Sequence, residues 1–130
     1  MRKILFTALL LPLFFTACTD NNAAEEDTEA PVIEMLSPAA NTNFKTGDTL
    51  RIKAAISDND ELHEGEVKLT NISTNTDLLK YDLHVHELKQ YTVDTMYIIK
   101  ADDNANLKLL ITASDHHEHN TIKETELFFK

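Results

Sequence analysis

The chain has 130 residues, enough for one compact domain and short for two. Its formal charge of −10, from 12 Lys+Arg against 22 Asp+Glu, opposes the nucleic-acid phosphates and excludes a non-specific nucleic-acid binder. Only two glycines occur, Gly47 and Gly65, so neither a phosphate-cradling P-loop nor a GxGxxG dinucleotide turn is present, while 42% hydrophobic and 26% charged residues exclude wholesale disorder.

Residues 1–17 carry Arg2 and Lys3, then an apolar run from Ile4 to Phe15 broken only by Thr7 and Pro12, then Thr16 and Ala17. These are the basic, apolar and small-residue parts of an export signal. As a helix the apolar run would span about 18 Å, well short of the ~30 Å hydrocarbon core, so it does not cross a membrane. The single cysteine, Cys18, directly follows Phe15-Thr16-Ala17, a junction that resembles the lipobox of bacterial lipoproteins. That resemblance implies removal of 1–17 and acylation, palmitate included, of Cys18 as the new N-terminus. The chain would then be an outer-membrane lipoprotein on the periplasmic face or the cell surface. One cysteine cannot form an intramolecular disulfide, so the domain must rely on its core.

Residues 18–30 contain Asp20, Glu25, Glu26, Asp27 and Glu29 with no Lys or Arg, and read as an acidic flexible tether. An acidic run after a lipidated cysteine also resembles the signals that send some lipoproteins to the cell surface.

Residues 31–130 read as strands. Apolar residues alternate at Leu50, Ile52, Ala54 and Ile56, at Leu79, Tyr81, Leu83 and Val85, and at Leu107, Leu109, Ile111 and Ala113. That period of two buries one face of each run. Further runs lie at 31–36, 66–72, 91–100 and 121–129; the phase of the 91–100 run changes near Thr95, which predicts a bulge or break there. Turn-forming clusters separate the runs at 41–43, 47–48, 58–60, 71–77, 102–104 and 115–120. About seven antiparallel strands in 100 residues with no helical stripe predict an all-β, Ig-like β-sandwich.

The segments Pro31-Val-Ile, Ser37-Pro38, Phe44-Lys-Thr-Gly47-Asp48-Thr-Leu-Arg-Ile and Ala55-Ile-Ser-Asp58-Asn-Asp60 resemble the opening of Ig-like domains in bacterial surface proteins and lipoproteins. Leu109-Leu-Ile-Thr-Ala-Ser-Asp115 and Asn120-Thr-Ile resemble their last strand pair, with His116-His117-Glu118-His119 in place of the usual short turn. The chain is also similar to a set of histidine-bearing Ig-like lipoproteins. The resemblance implies a non-enzymatic spacer or binding module, monomeric, with an envelope protein or a glycan as partner.

The six histidines, His63, His84, His86, His116, His117 and His119, all fall at one pole if each strand reverses direction. His84 and His86 share an outward strand face about 7 Å apart, close enough for two imidazoles to reach one metal. A transition-metal site, with Zn, Cu or Ni as candidate ions, would use His84 and His86 plus His116, His117 or His119, and needs three or four nitrogens at about 2.0–2.1 Å. The oxygen ligands Asp58, Asp60 and Asp115 form a calcium candidate without the EF-hand pattern. No HExxH occurs, and Ser114-Asp115-His116 are chain neighbours that cannot form a triad in space, so no catalytic residues are assigned. Glycan binding would need an exposed aromatic pair. The sequence therefore reads as a lipid-anchored binding or spacer module, with a metal-binding lipoprotein and an accessory glycan-binding lipoprotein as alternatives.

Overall fold

A computed structural model of the chain describes residues 27–100 and 105–129. The export signal, Cys18 and most of the tether lie outside the described residues. Within them the chain forms seven strands: β1 Val32–Ser37, β2 Asn43–Phe44, β3 Thr49–Asn71, β4 Thr76–Leu83, β5 Leu88–Ile98, β6 Asn106–Asp115 and β7 Asn120–Phe129. No helix among them is long and apolar enough to cross a membrane.

The alternation becomes a core because every second residue of each run points the same way. Leu50, Ile52, Ala54 and Ile56, Val67 and Leu69, and Leu107, Leu109, Ile111 and Ala113 are all buried in one hydrophobic cluster. Two layers contribute to it. The first half of β3 pairs with β1 and β5, from Val32↔Ser57 and from Thr49↔Ile98 to Ser57↔Gln90. The second half pairs with β4 and β6, and β6 in turn carries β7. Every pairing is antiparallel except that of β2 with β7, which is parallel. The Thr121 hydroxyl donates to the Pro31 carbonyl and ties β7 to the start of β1.

Residues 58–60, expected as a turn between separate runs, instead lie within β3 as it passes from one layer to the other. Leu62 is fully buried and pairs with both Leu88 and Asp115, with register shifts on either side. The Asp58-Asn59-Asp60 cluster bends the strand locally: the Asp60 N–H donates to the Asp58 carboxylate at 3.0 Å. Polar turn-formers thus make a corner here: the pairing with β1 and β5 runs to Ser57, and the ladder resumes at Leu62.

The 79–86 run is also corrected, because β4 ends at Leu83. Beyond it the Val85 N–H donates to the Leu83 carbonyl at 3.1 Å, and the Leu88 N–H to the Val85 carbonyl at 3.0 Å, forming a turn. The bulge expected near Thr95 is absent, since β5 pairs without a register shift from Thr49↔Ile98 to Ser57↔Gln90. Val93 and Ile99 are buried while Met96 and Ile98 are 71% and 58% exposed. The apparent change of phase came from two apolar side chains on the outer face.

Gly65 is where β3 is squeezed between its two neighbours. A Cβ there would lie 3.0 Å from Leu83 Cδ1 and 3.2 Å from the Thr112 carbonyl oxygen, so the absent side chain is what lets these three strands close up.

Candidate functional site

Three segments converge at one end of the sandwich: the corner of β3, the β4–β5 turn and the β6–β7 turn. His63 sits in the corner. On the β6 side Leu62 pairs with Asp115 and Glu64 with Ser114, so His63 is the extra residue of a bulge. A bulge leaves its residue outside the ladder and re-aims its side chain. His86 occupies the turn from Val85 to Leu88, whose next residue, Glu87, has φ of +64°. That left-handed conformation is uncommon outside glycine, asparagine and aspartate. The Glu87 N–H donates to the Leu62 carbonyl at 3.1 Å, pinning the turn beside His63. His116 opens the β6–β7 turn, where Glu118 likewise has φ of +66°.

These backbone choices bring three imidazoles together. Ring centroids are 4.5 Å apart for His63 and His116, 4.9 Å for His86 and His116, and 5.4 Å for His63 and His86. One ring nitrogen from each lies within 4.8 Å of the others. The Nδ1 atom of His63 is buried and has no hydrogen-bond partner among the described residues. Carboxylate oxygens of Glu64 and Glu87 lie 3.8 Å from ring nitrogens of His63 and His86.

Asp115 holds the adjoining turn. Its carboxylate accepts the backbone N–H groups of His117 at 2.8 Å and His119 at 2.9 Å, and the His119 Nδ1–H at 2.6 Å. The side chain of Asp115 has no exposed surface. Burial by itself would raise its pKa; the hydrogen bond from the His119 ring and those from the two backbone N–H groups outweigh that cost and hold the carboxyl below its ordinary value. The start of the described chain reaches the same end. Asp27 accepts the Asn59 side-chain amide at 2.8 Å and the Glu29 N–H at 3.0 Å, and these bonds lower its pKa. Asp27, Asp115 and His119 form a second group whose ligand atoms lie within 4.8 Å.

The histidines therefore divide differently from the sequence expectation. His86 and His116 are brought together, but with His63, which was not among the expected ligands. His84 stays outside that group because the strand that would have aligned it with His86 ends at Leu83. It lines the same open cleft of about 700 Å³ as His63, His86, Glu64 and Asp82. His119 is committed to Asp115, and His117 lies 3.8 Å from an Asp60 carboxylate oxygen. The calcium candidate is not assembled: Asp58 bonds the Asp60 backbone, Asp115 bonds the turn, and neither Asp58 nor Asp60 belongs to a metal-capable group among the described residues. Sequence reading missed His63 because a bulge has no periodic signature.

No family model and no curated protein matches the chain. Among solved structures, the fibronectin(III)-like modules of Clostridium thermocellum CbhA are similar over 77% of this chain and 46% of theirs, with 17% identity and a TM-score of 0.50. A beta-glucosidase from Listeria innocua in complex with glucose is similar over 75% of this chain and 16% of that one, with 13% identity and a TM-score of 0.44, too remote to carry an argument. The chain thus spans about half the length of the first structure and a small part of the second. What the first likeness shows is the fold: these residues form an all-β, Ig-like sandwich.

Proposed function

We propose that the protein is a lipid-anchored, non-enzymatic binding module of the cell envelope, monomeric and held in the outer membrane through Cys18. The observation that carries this reading is the short apolar run ending in Thr16-Ala17-Cys18, followed by an acidic stretch and one sandwich domain. A fibronectin III-like fold supports a binding or spacer role, although function must be argued from the site and not from the fold. The convergence of three histidines in one corner favours binding over spacing. Glycan binding has less support, because Tyr81, Tyr91 and Tyr97 are all partly buried against the core and offer no exposed aromatic pair.

The anchor also implies an orientation. Nine peptide steps from Cys18 to Asp27 reach at most about 30 Å, and Asp27 is bonded to Asn59 at the histidine end. A lipid on Cys18 would keep that end near the membrane, on the periplasmic face or the cell surface, and direct the opposite turns outward. Replacing Cys18 by Ser in the full-length protein tests the anchor. The variant is expected to move from the membrane to the soluble fraction, and unchanged membrane partition would refute the anchor.

A further inference from the structure

We propose that His63, His86 and His116 form a binding site for a single borderline divalent transition ion, Zn²⁺ or Cu²⁺. The proposal deepens the reading of the domain as a binding module by naming a ligand, and it does not depend on the lipid anchor. Three neutral imidazoles are a donor set suited to such ions and poorly suited to calcium or magnesium, which prefer oxygen.

The local backbone is built to create this juxtaposition. The bulge at His63 turns its ring away from the ladder, the turn carrying His86 is bonded to the carbonyl of Leu62, and His116 follows the residue that pairs with Leu62. Three chain segments far apart in sequence are thereby fixed to one residue of the corner. The buried Nδ1 of His63 is an independent sign, since a buried polar atom without a partner is costly and rare. The present spacing is that of an open site. Ligand atoms up to 4.8 Å apart must close by up to about 1.4 Å to reach the ~3.4 Å separation that tetrahedral bonds of about 2.1 Å impose. Rotation of the exposed His86 and His116 side chains supplies such a movement. Carboxylates of Glu64 and Glu87 beside two of the rings, on a chain of net charge −10, favour the approach of a cation. The open cleft beside His63 and His86 gives water or a group from a partner access to these two rings.

The test is calorimetric titration of the untagged, detergent-extracted full-length protein with Zn²⁺ and separately with Cu²⁺, beside the His86→Ala, His63→Ala and His84→Ala variants. Saturable binding of one ion at micromolar affinity or better is expected, weakened at least tenfold in His86→Ala and His63→Ala and unchanged in His84→Ala. His86 is exposed and in a turn, so its variant keeps the test valid if His63→Ala misfolds. Electron paramagnetic resonance of the Cu²⁺ form should show nitrogen coupling from three imidazoles, falling to two in His86→Ala. Absence of saturable binding, equal affinity in the parent and His86→Ala, or loss of binding in His84→Ala would overturn the assignment. Unchanged membrane partition of Cys18→Ser with metal binding intact would refute the anchor and leave the metal site standing.

Discussion

Removing the Asp115 carboxylate should loosen the histidine end without dissolving the sandwich. That side chain has no exposed surface and accepts hydrogen bonds at 2.6, 2.8 and 2.9 Å, all from the turn that follows it. A hydrogen bond to a charged group contributes roughly 1.5–3 kcal/mol. In Asp115→Ala water can reach the exposed turn and rehydrate much of what is lost, and the cost of burying the carboxylate is recovered. The net loss should therefore be about 2–3 kcal/mol, below the sum of three such bonds. For a domain of this size that corresponds to a fall in Tm of about 10–20 °C. Asp115→Asn, which keeps one acceptor oxygen, should fall between the parent and Asp115→Ala. Asp60→Ala, whose carboxylate is exposed and only 3.8 Å from His117, should melt with the parent. Urea and thermal unfolding of the three variants measure this order. An Asp115→Ala protein within about 0.5 kcal/mol of the parent would show that the carboxylate does not hold the turn, because that is the size of an ordinary surface substitution.

The same carboxylate predicts an acid dependence. Its folded pKa is depressed below the ordinary value of 3.8, so its contribution is complete above that value and is lost as pH falls below it toward the folded pKa. Unfolding free energies from pH 6 to pH 2 should fall more steeply in the parent than in Asp115→Ala, and parallel curves would count against the assignment. At Gly65, substitution by Ala places a Cβ 3.0 Å from the Leu83 side chain and 3.2 Å from the Thr112 carbonyl, so Gly65→Ala should cost about 1–2 kcal/mol by overpacking, read from the urea midpoint.

The sequence made the core legible because the side-chain period of a strand is two, and Leu50 to Ile56 and Leu107 to Ala113 obey it with one face buried. It was less informative wherever direction and register, and not periodicity, decide the outcome. Asp58-Asn59-Asp60 has turn composition, yet the buried Leu62 just beyond it pairs on both sides and returns the chain to the ladder. Met96 and Ile98 are apolar but face outward, which imitates a break in phase. At the candidate site, the gathering of histidines at one end was visible from alternation and strand reversal alone. Their grouping was not, because it follows from one extra residue at His63, an early end to β4 and the hydrogen bond from Glu87 to Leu62. The metal-capable set shifted accordingly, from a pair on one strand to single residues on three segments.

The central proposal about function is that this sandwich is displayed from a lipidated Cys18. Mass spectrometry of the N-terminal peptide from the membrane-extracted protein decides the point. A chain beginning at Cys18 and carrying the mass of an acylated, diacylglyceryl-modified cysteine is expected; a mature chain beginning elsewhere, or an unmodified Cys18 thiol, would refute the lipid anchor.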